Sequence, residues 1–179
     1  MKLNKLLAGL TIAASMVSGA AFATIQDLTT WNTYTGINGS VSVSPSTASL
    51  SGTAGIYKNY SLAAGTALSF DWFFQANDYL PFNDFAALFV DGNLNLTLSN
   101  VATVGNFGNS GWQTFSTSLT NPVNGNITFS VNNALDNALA STLTVANVNI
   151  VPEPDMLLLM GTALGLVAFS SRRKSKHAA

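Results

Sequence analysis

The side chains best able to do chemistry in this chain are oxygen donors. Asn77-Asp78 and Asn83-Asp84 form two closely spaced Asx dipeptides, with Asp71 and Asp91 on either side of them. Calcium takes about 6–8 hard oxygens from carboxylates, amides and backbone carbonyls on loops. Asp71, Asn77, Asp78, Asn83, Asp84 and Asp91 are therefore a candidate calcium set, although their spacing is not that of an EF-hand. The same residue types also make turns, because Asn and Asp bond nearby backbone N–H groups and Pro81 lies between the two dipeptides. Two aspartates can also act as the acid and the base or nucleophile of a glycosidase. Against that, Thr24 to Val151 holds no His, Cys, Arg or Glu, and Lys58 is its sole cation. Imidazole, thiolate, zinc and disulfide chemistry lose their usual residues, and an enzyme is not expected. Trp31, Tyr34, Tyr57, Tyr60, Tyr79, Phe82 and Trp112 are enough aromatics to build a stacking platform for a sugar. Tyr79 and Trp112 are the candidate glycan contacts, on condition that they stand exposed and not in the core.

The elements that must carry these groups are strands. Between Thr24 and Val151, Asn, Thr and Ser number 18, 16 and 14. Thr favours strands and Asn favours turns, so a helical fold would be a poor use of them. Leu68, Phe70, Trp72 and Phe74 alternate with polar or off-phase residues, as do Leu94, Leu96 and Leu98, and Ile127, Phe129 and Val131. Such a period of two places each set on one face of a strand. Val41 with Val43, Phe85 to Val90, Trp112 to Leu119 and Leu143 to Ile150 extend the count to seven or more strands. In the last of these the apolar phase changes between Val145 and Val148, which predicts a bulge near Ala146-Asn147. Asp91-Gly92-Asn93 reads as a hairpin turn. The expected fold is all-β, a two-sheet antiparallel sandwich of jelly-roll type over residues 24–151, large enough to bury one core.

Both ends are apolar and basic. Residues 1–23 run from Lys2 and Lys5 through an apolar stretch to small residues, with Ala21 and Ala23 fitting a signal-peptidase site. This is the pattern of a secretory signal helix whose removal starts the chain at Thr24. At the other end, residues 152–179 combine Pro152-Glu153-Pro154, an apolar run over 156–171 and a basic tail over 172–179 that contains Arg172 and Arg173. Sixteen helical residues span about 24 Å, short for a bilayer core of about 30 Å, so this transmembrane helix would cross only with thinning or snorkelling. The cations after it stay cytoplasmic, which puts the preceding domain across the inner membrane. The domain itself carries six aspartates against Lys58, which argues against nucleic acid as a partner.

This ordered C-terminal end resembles the PEP-CTERM sorting signal of Gram-negative bacteria. The resemblance implies recognition by an exosortase in the membrane, cleavage near Pro152-Glu153-Pro154, and release to the cell surface or the extracellular polymer. Ser69 to Ala87, Gly111 to Ser116 and Leu143 to Ile150 are similar to blocks of the jelly-roll domains common among PEP-CTERM proteins. Those domains often carry an Asp-Asn pair near their end, where this chain has Ala146-Asn147. The combined expectation is an exported, non-enzymatic structural or adhesive module of the surface or biofilm matrix, with a carbohydrate-binding module for exopolysaccharide as the alternative.

Overall fold

A computed structural model describes residues 24–152, and these form a two-layer antiparallel β-sandwich. The strands are β1 (Thr24–Ile25), β2 (Asn32–Thr35), β3 (Ser40–Val43), β4 (Thr47–Ser51), β5 (Ala54–Leu62), β6 (Ala67–Gln75), β7 (Phe85–Val90), β8 (Asn93–Asn100), β9 (Gln113–Ser118), β10 (Val123–Asn132) and β11 (Thr142–Val151). A short helical turn, α1 (Val101–Val104), follows β8. The first sheet has the order β3-β4-β11-β6-β9, with β1 added on β11; the second has the order β2-β5-β10-β7-β8. Sequence neighbours β6 and β7, and likewise β10 and β11, lie in different sheets. Their connections therefore cross one end of the sandwich.

The alternation in the sequence is the cause of the layering. Leu68, Phe70 and Phe74 of β6 and Leu143 and Val145 of β11 point inward from the first sheet. They meet Ile56, Leu88, Ile127, Phe129 and Val131 of the second, all buried. Phe70 and Phe129 join the layers edge to face, with centroids 4.7 Å apart, and Trp31 stacks on Phe129 at 5.8 Å. Edge-to-face contact suits the opposed charges of ring face and ring rim. Leu96 and Leu98 pack against this core as the alternation predicts, while the side chain of Leu94 lies outside the described set.

The two local irregularities read from the sequence are both present. Asp91 and Gly92 have φ of 51° and 74°, the paired left-handed geometry of a tight hairpin between β7 and β8. In β11 the register shifts between Ala146 and Asn149, and Asn147 takes φ 53°. Asn tolerates that conformation better than other residues with a Cβ. The turned N–H of Asn147 bonds the Ser46 carbonyl at 3.0 Å.

Thr24 pairs with Ile150 and Ile25 with Asn149, so the chain enters and leaves the sandwich at one end. The connections 76–84, 101–112 and 133–141 occupy the other end, about 33 Å away along the ten residues of β11. Residues 1–23 and 153–179 lie outside the described set. The expected signal helix with Ala21 and Ala23, the apolar run 156–171, and Glu153, Pro154, Arg172 and Arg173 all fall in those two segments. Among the described residues no helix is long and apolar enough to cross a membrane.

Candidate functional site

The six candidate calcium ligands do not share one place. Asp84 precedes β7 and Asp91 follows it, so the strand separates them by about 20 Å. Asp91 sits in the hairpin beside Gly125, where a Cβ built on that glycine would meet the Asp91 carboxylate at 2.5 Å. Asp71 stands mid-strand on β6. Among the described residues no group of three or more His, Asp or Glu side chains is placed to hold a metal ion.

Asn77, Asp78, Asn83 and Asp84 do gather at the loop end, and their polar atoms are largely used on backbone. The buried Asp84 carboxylate accepts the Ala134 N–H at 2.8 Å and the Ser141 N–H at 3.3 Å. Asn77 donates to the Ala140 carbonyl at 2.8 Å, and Asn83 accepts the Ala102 N–H at 2.8 Å. These bonds tie the segment before β7 to connections 133–141 and 101–112, which is the turn-forming role of Asx side chains. Asp78 accepts the Tyr79 N–H through Oδ1 at 2.7 Å, while its Oδ2 is buried without a hydrogen-bond partner. Burial pushes the Asp78 carboxyl above the usual carboxylate value. Repulsion from Asp84 and Asp136 acts the same way, and the Tyr79 N–H opposes it.

Asp71 belongs to a different constellation, on the outer face of the first sheet. Its cross-strand partners are Thr114 on β9 and Ala146 on β11. The Thr114 hydroxyl donates to Oδ1 at 2.6 Å and the Asn147 amide to Oδ2 at 2.8 Å. The Asn147 and Thr114 bonds hold this carboxyl below its ordinary value, so it stays ionised as an acceptor. Asn147 reaches Asp71 because the β11 bulge swings its side chain to the outer face. Ala146 faces Asp71 across the strands and presents only a methyl group to the depression. An aspartate there would oppose Asp71 as a like-charge cross-strand pair.

Beside this set stands Trp112, 60% exposed, its ring 5.8 Å from that of Phe73. Thr47, Asp71, Trp112, Gln113, Thr114, Ala146 and Asn147 line a depression of about 460 Å³. That size is within the roughly 300–1,000 Å³ of small-ligand sites. An aromatic wall can take the C–H face of a sugar ring, while carboxylate, amide and hydroxyl groups take its hydroxyls. Asp71 is the one carboxylate lining the depression, whereas acid-base hydrolysis of a glycoside uses a flanking pair.

The two candidate glycan contacts part company. Trp112 lies in this depression. Tyr79 lies at the loop end, against Phe82 and Phe107 at 5.5 and 5.9 Å. Among the remaining aromatics Trp31 is buried and Tyr60 is half-buried over it, with burial pushing the Tyr60 hydroxyl up to about 12. Phe73, Thr114 and Thr47 were not among the expected site residues. Phe73 was legible: with Ser69, Asp71 and Gln75 it occupies the polar phase of β6, where an aromatic is out of pattern.

No curated protein matches the sequence. Several solved structures are similar to it at low identity. The CBM51 module from Clostridium perfringens GH95, solved with methyl-galactose, is 9% identical, with 73% of this chain and 100% of that one covered and a TM-score of 0.46. The xylan-binding module CBM15 is 11% identical, with 74% and 97% covered and a TM-score of 0.45. The N-terminal cellulose-binding domain of Cellulomonas fimi β-1,4-glucanase C is 18% identical, with 73% and 94% covered and a TM-score of 0.41. Residues 151–174 match the PEP-CTERM protein-sorting motif, and this chain thus carries the signal of an exported protein processed by an exosortase.

Proposed function

We propose that residues 24–152 are a non-catalytic carbohydrate-binding module that holds the exported protein to exopolysaccharide outside the cell. In this reading a signal peptidase and an exosortase remove the two apolar ends. The protein is anchored in the inner membrane only until then, and it finishes at the surface or in the matrix. The observation that carries the reading is the exposed Trp112 beside the hydrogen-bonded Asp71–Thr114–Asn147 set. An exposed aromatic next to a preorganised polar cluster offers a sugar both a surface for its C–H face and partners for its hydroxyls. The lone carboxylate of the depression supports binding over hydrolysis.

Calorimetry of the full-length chain in a sugar-free zwitterionic detergent, against neutral oligosaccharides and the native polymer, tests this. Trp112→Ala is expected to weaken binding by about tenfold or more, equal to about 1.4 kcal/mol, with the melting midpoint unchanged. Binding that survives this substitution, or no binding across the polymers, rejects the reading. A second reading, a structural or adhesive module that binds protein, is favoured by the exposed Tyr79, Leu80 and Phe107 at the loop end. It is distinguished by self-association that Phe107→Ser abolishes and that Trp112→Ala leaves intact.

A further inference from the structure

A second depression, of about 400 Å³, opens at the edge of the sandwich between β8 with α1 and the start of β9. Its floor is apolar, made by Trp72, Leu98 and Val104, which also pack against the core. Its rim is polar and uncharged, made by Thr103, Asn109 and Gln113 among others. Gln113 lines this depression and the Trp112 depression alike, so the two are neighbours across one residue of the edge strand β9. The Gln113 amide nitrogen donates to the Ser110 carbonyl at 3.0 Å, which fixes the side chain and leaves its amide oxygen as an acceptor.

The pairing of the two depressions has consequences for the ligand. An apolar floor with an amide and hydroxyl rim offers the second depression the same division of labour as the first: C–H faces below, hydroxyls at the sides. Asp71 is the single charge lining either, and neither lining holds a cation. A uronate or sulfated polymer would meet the Asp71 carboxylate there, in a domain that carries six aspartates, Asp71 included, against Lys58. Resting on the proposed carbohydrate-binding role, we infer that one neutral polysaccharide chain occupies both depressions, crossing β9 over Gln113, and that the module reads a run of several sugars and not a single chain end.

The test is a length series on the full-length chain in sugar-free detergent. Cello-, xylo- and galacto-oligosaccharides from disaccharide to hexasaccharide are titrated, with alginate oligosaccharides as the acidic set. For the neutral series that binds, affinity should rise about tenfold from disaccharide to hexasaccharide, as a second subsite adds contacts. Thr103→Trp, which fills the second depression from α1, should abolish that rise and keep disaccharide affinity. Thr103→Ser, which leaves the depression open, should keep both. Independently of any variant, amide resonances of Thr103, Val104 and Asn109 should shift with the hexasaccharide and not with the disaccharide. A flat length series in a protein that binds disaccharide, resonances at these residues that do not respond, or tighter binding of alginate overturns the inference and leaves the binding role standing. Absence of binding to every glycan overturns both together.

Discussion

The outer face of the first sheet and the loop end of the sandwich draw on the same residue types and use them in opposite ways. At the loop end, Asp84, Asn77 and Asn83 spend their oxygens and amides on the bare backbone of connections 133–141 and 101–112. On the sheet face, Asp71 is bonded by side chains alone, Thr114 and Asn147, because the backbone around it is consumed by strand pairing. A strand satisfies its own N–H and C=O groups, so a polar side chain on it is free to face a ligand. A loop does not, and its polar side chains are drawn in to complete it. An Asx-rich segment is therefore weak evidence of a site until the elements beneath it are known.

The sharpest way to break this contrast is at Asp84. Asp84→Ala leaves the Ala134 and Ser141 N–H groups without their acceptor in a buried place. A loss of about 3 kcal/mol of unfolding free energy is expected, measured by denaturant titration. Glycan affinity under native conditions should stay at the wild-type value. If Asp84→Ala leaves stability unchanged, the carboxylate is not the clasp of the loop end.

Asp78 offers a smaller effect of opposite sign. Its folded-state pKa is raised, so the native state binds its proton more readily than the unfolded chain. The associated stability is present at low pH and is lost as pH rises from the ordinary carboxylate value through the raised one. Asp78→Asn keeps an acceptor for the Tyr79 N–H and removes the buried charge. Thermal melting should show a midpoint a few degrees higher at neutral pH, with a flatter profile on its acid side. A lower midpoint at neutral pH would mean that the ionised carboxylate has a partner and is needed.

Asp71 gives the smallest effect on stability and should act mainly on binding. Its pKa is lowered, so the stability from its Asn147 and Thr114 bonds is present above the ordinary value and is lost as pH falls through the lowered one. Glycan affinity should hold from neutral pH down to the ordinary carboxylate value and fall below it. Asp71→Asn should flatten that acid limb in a pH series of titrations, with little change in melting at neutral pH. An acid limb that persists in this variant would assign the titration to another group.

Much of the fold was legible because it depends on neighbours in sequence. The period of two in Leu68 to Phe74 and Ile127 to Val131 states which side chains face inward, whichever strands lie alongside. The phase change at Ala146-Asn147 and the Asp91-Gly92 turn are local as well. The candidate site was legible only in part. The sequence marks Trp112 as an aromatic, and it groups Asp71 with a calcium set with which Asp71 shares no place. Tyr79 met the same criterion as Trp112 and stands at the loop end. Nothing local separates them: both rings are exposed, and it is strand pairing that sets Trp112 and not Tyr79 beside Asp71.

The sequence by itself determined the PEP-CTERM sorting motif at the C-terminal end, the scarcity of catalytic side chains in the middle, and the inward and outward phase of strands such as β6 and β10. These are properties of composition and of contiguous residues. Only the tertiary structure decided that Asp71 meets Thr114, 43 positions away, and Asn147, 76 positions away, beside Trp112. Which strands become neighbours, and in what register, is set by closing one core between two sheets from residues distant along the chain. A one-residue change of register would turn each outward side chain to the inside, so the alternation is fixed locally and the company it keeps is not.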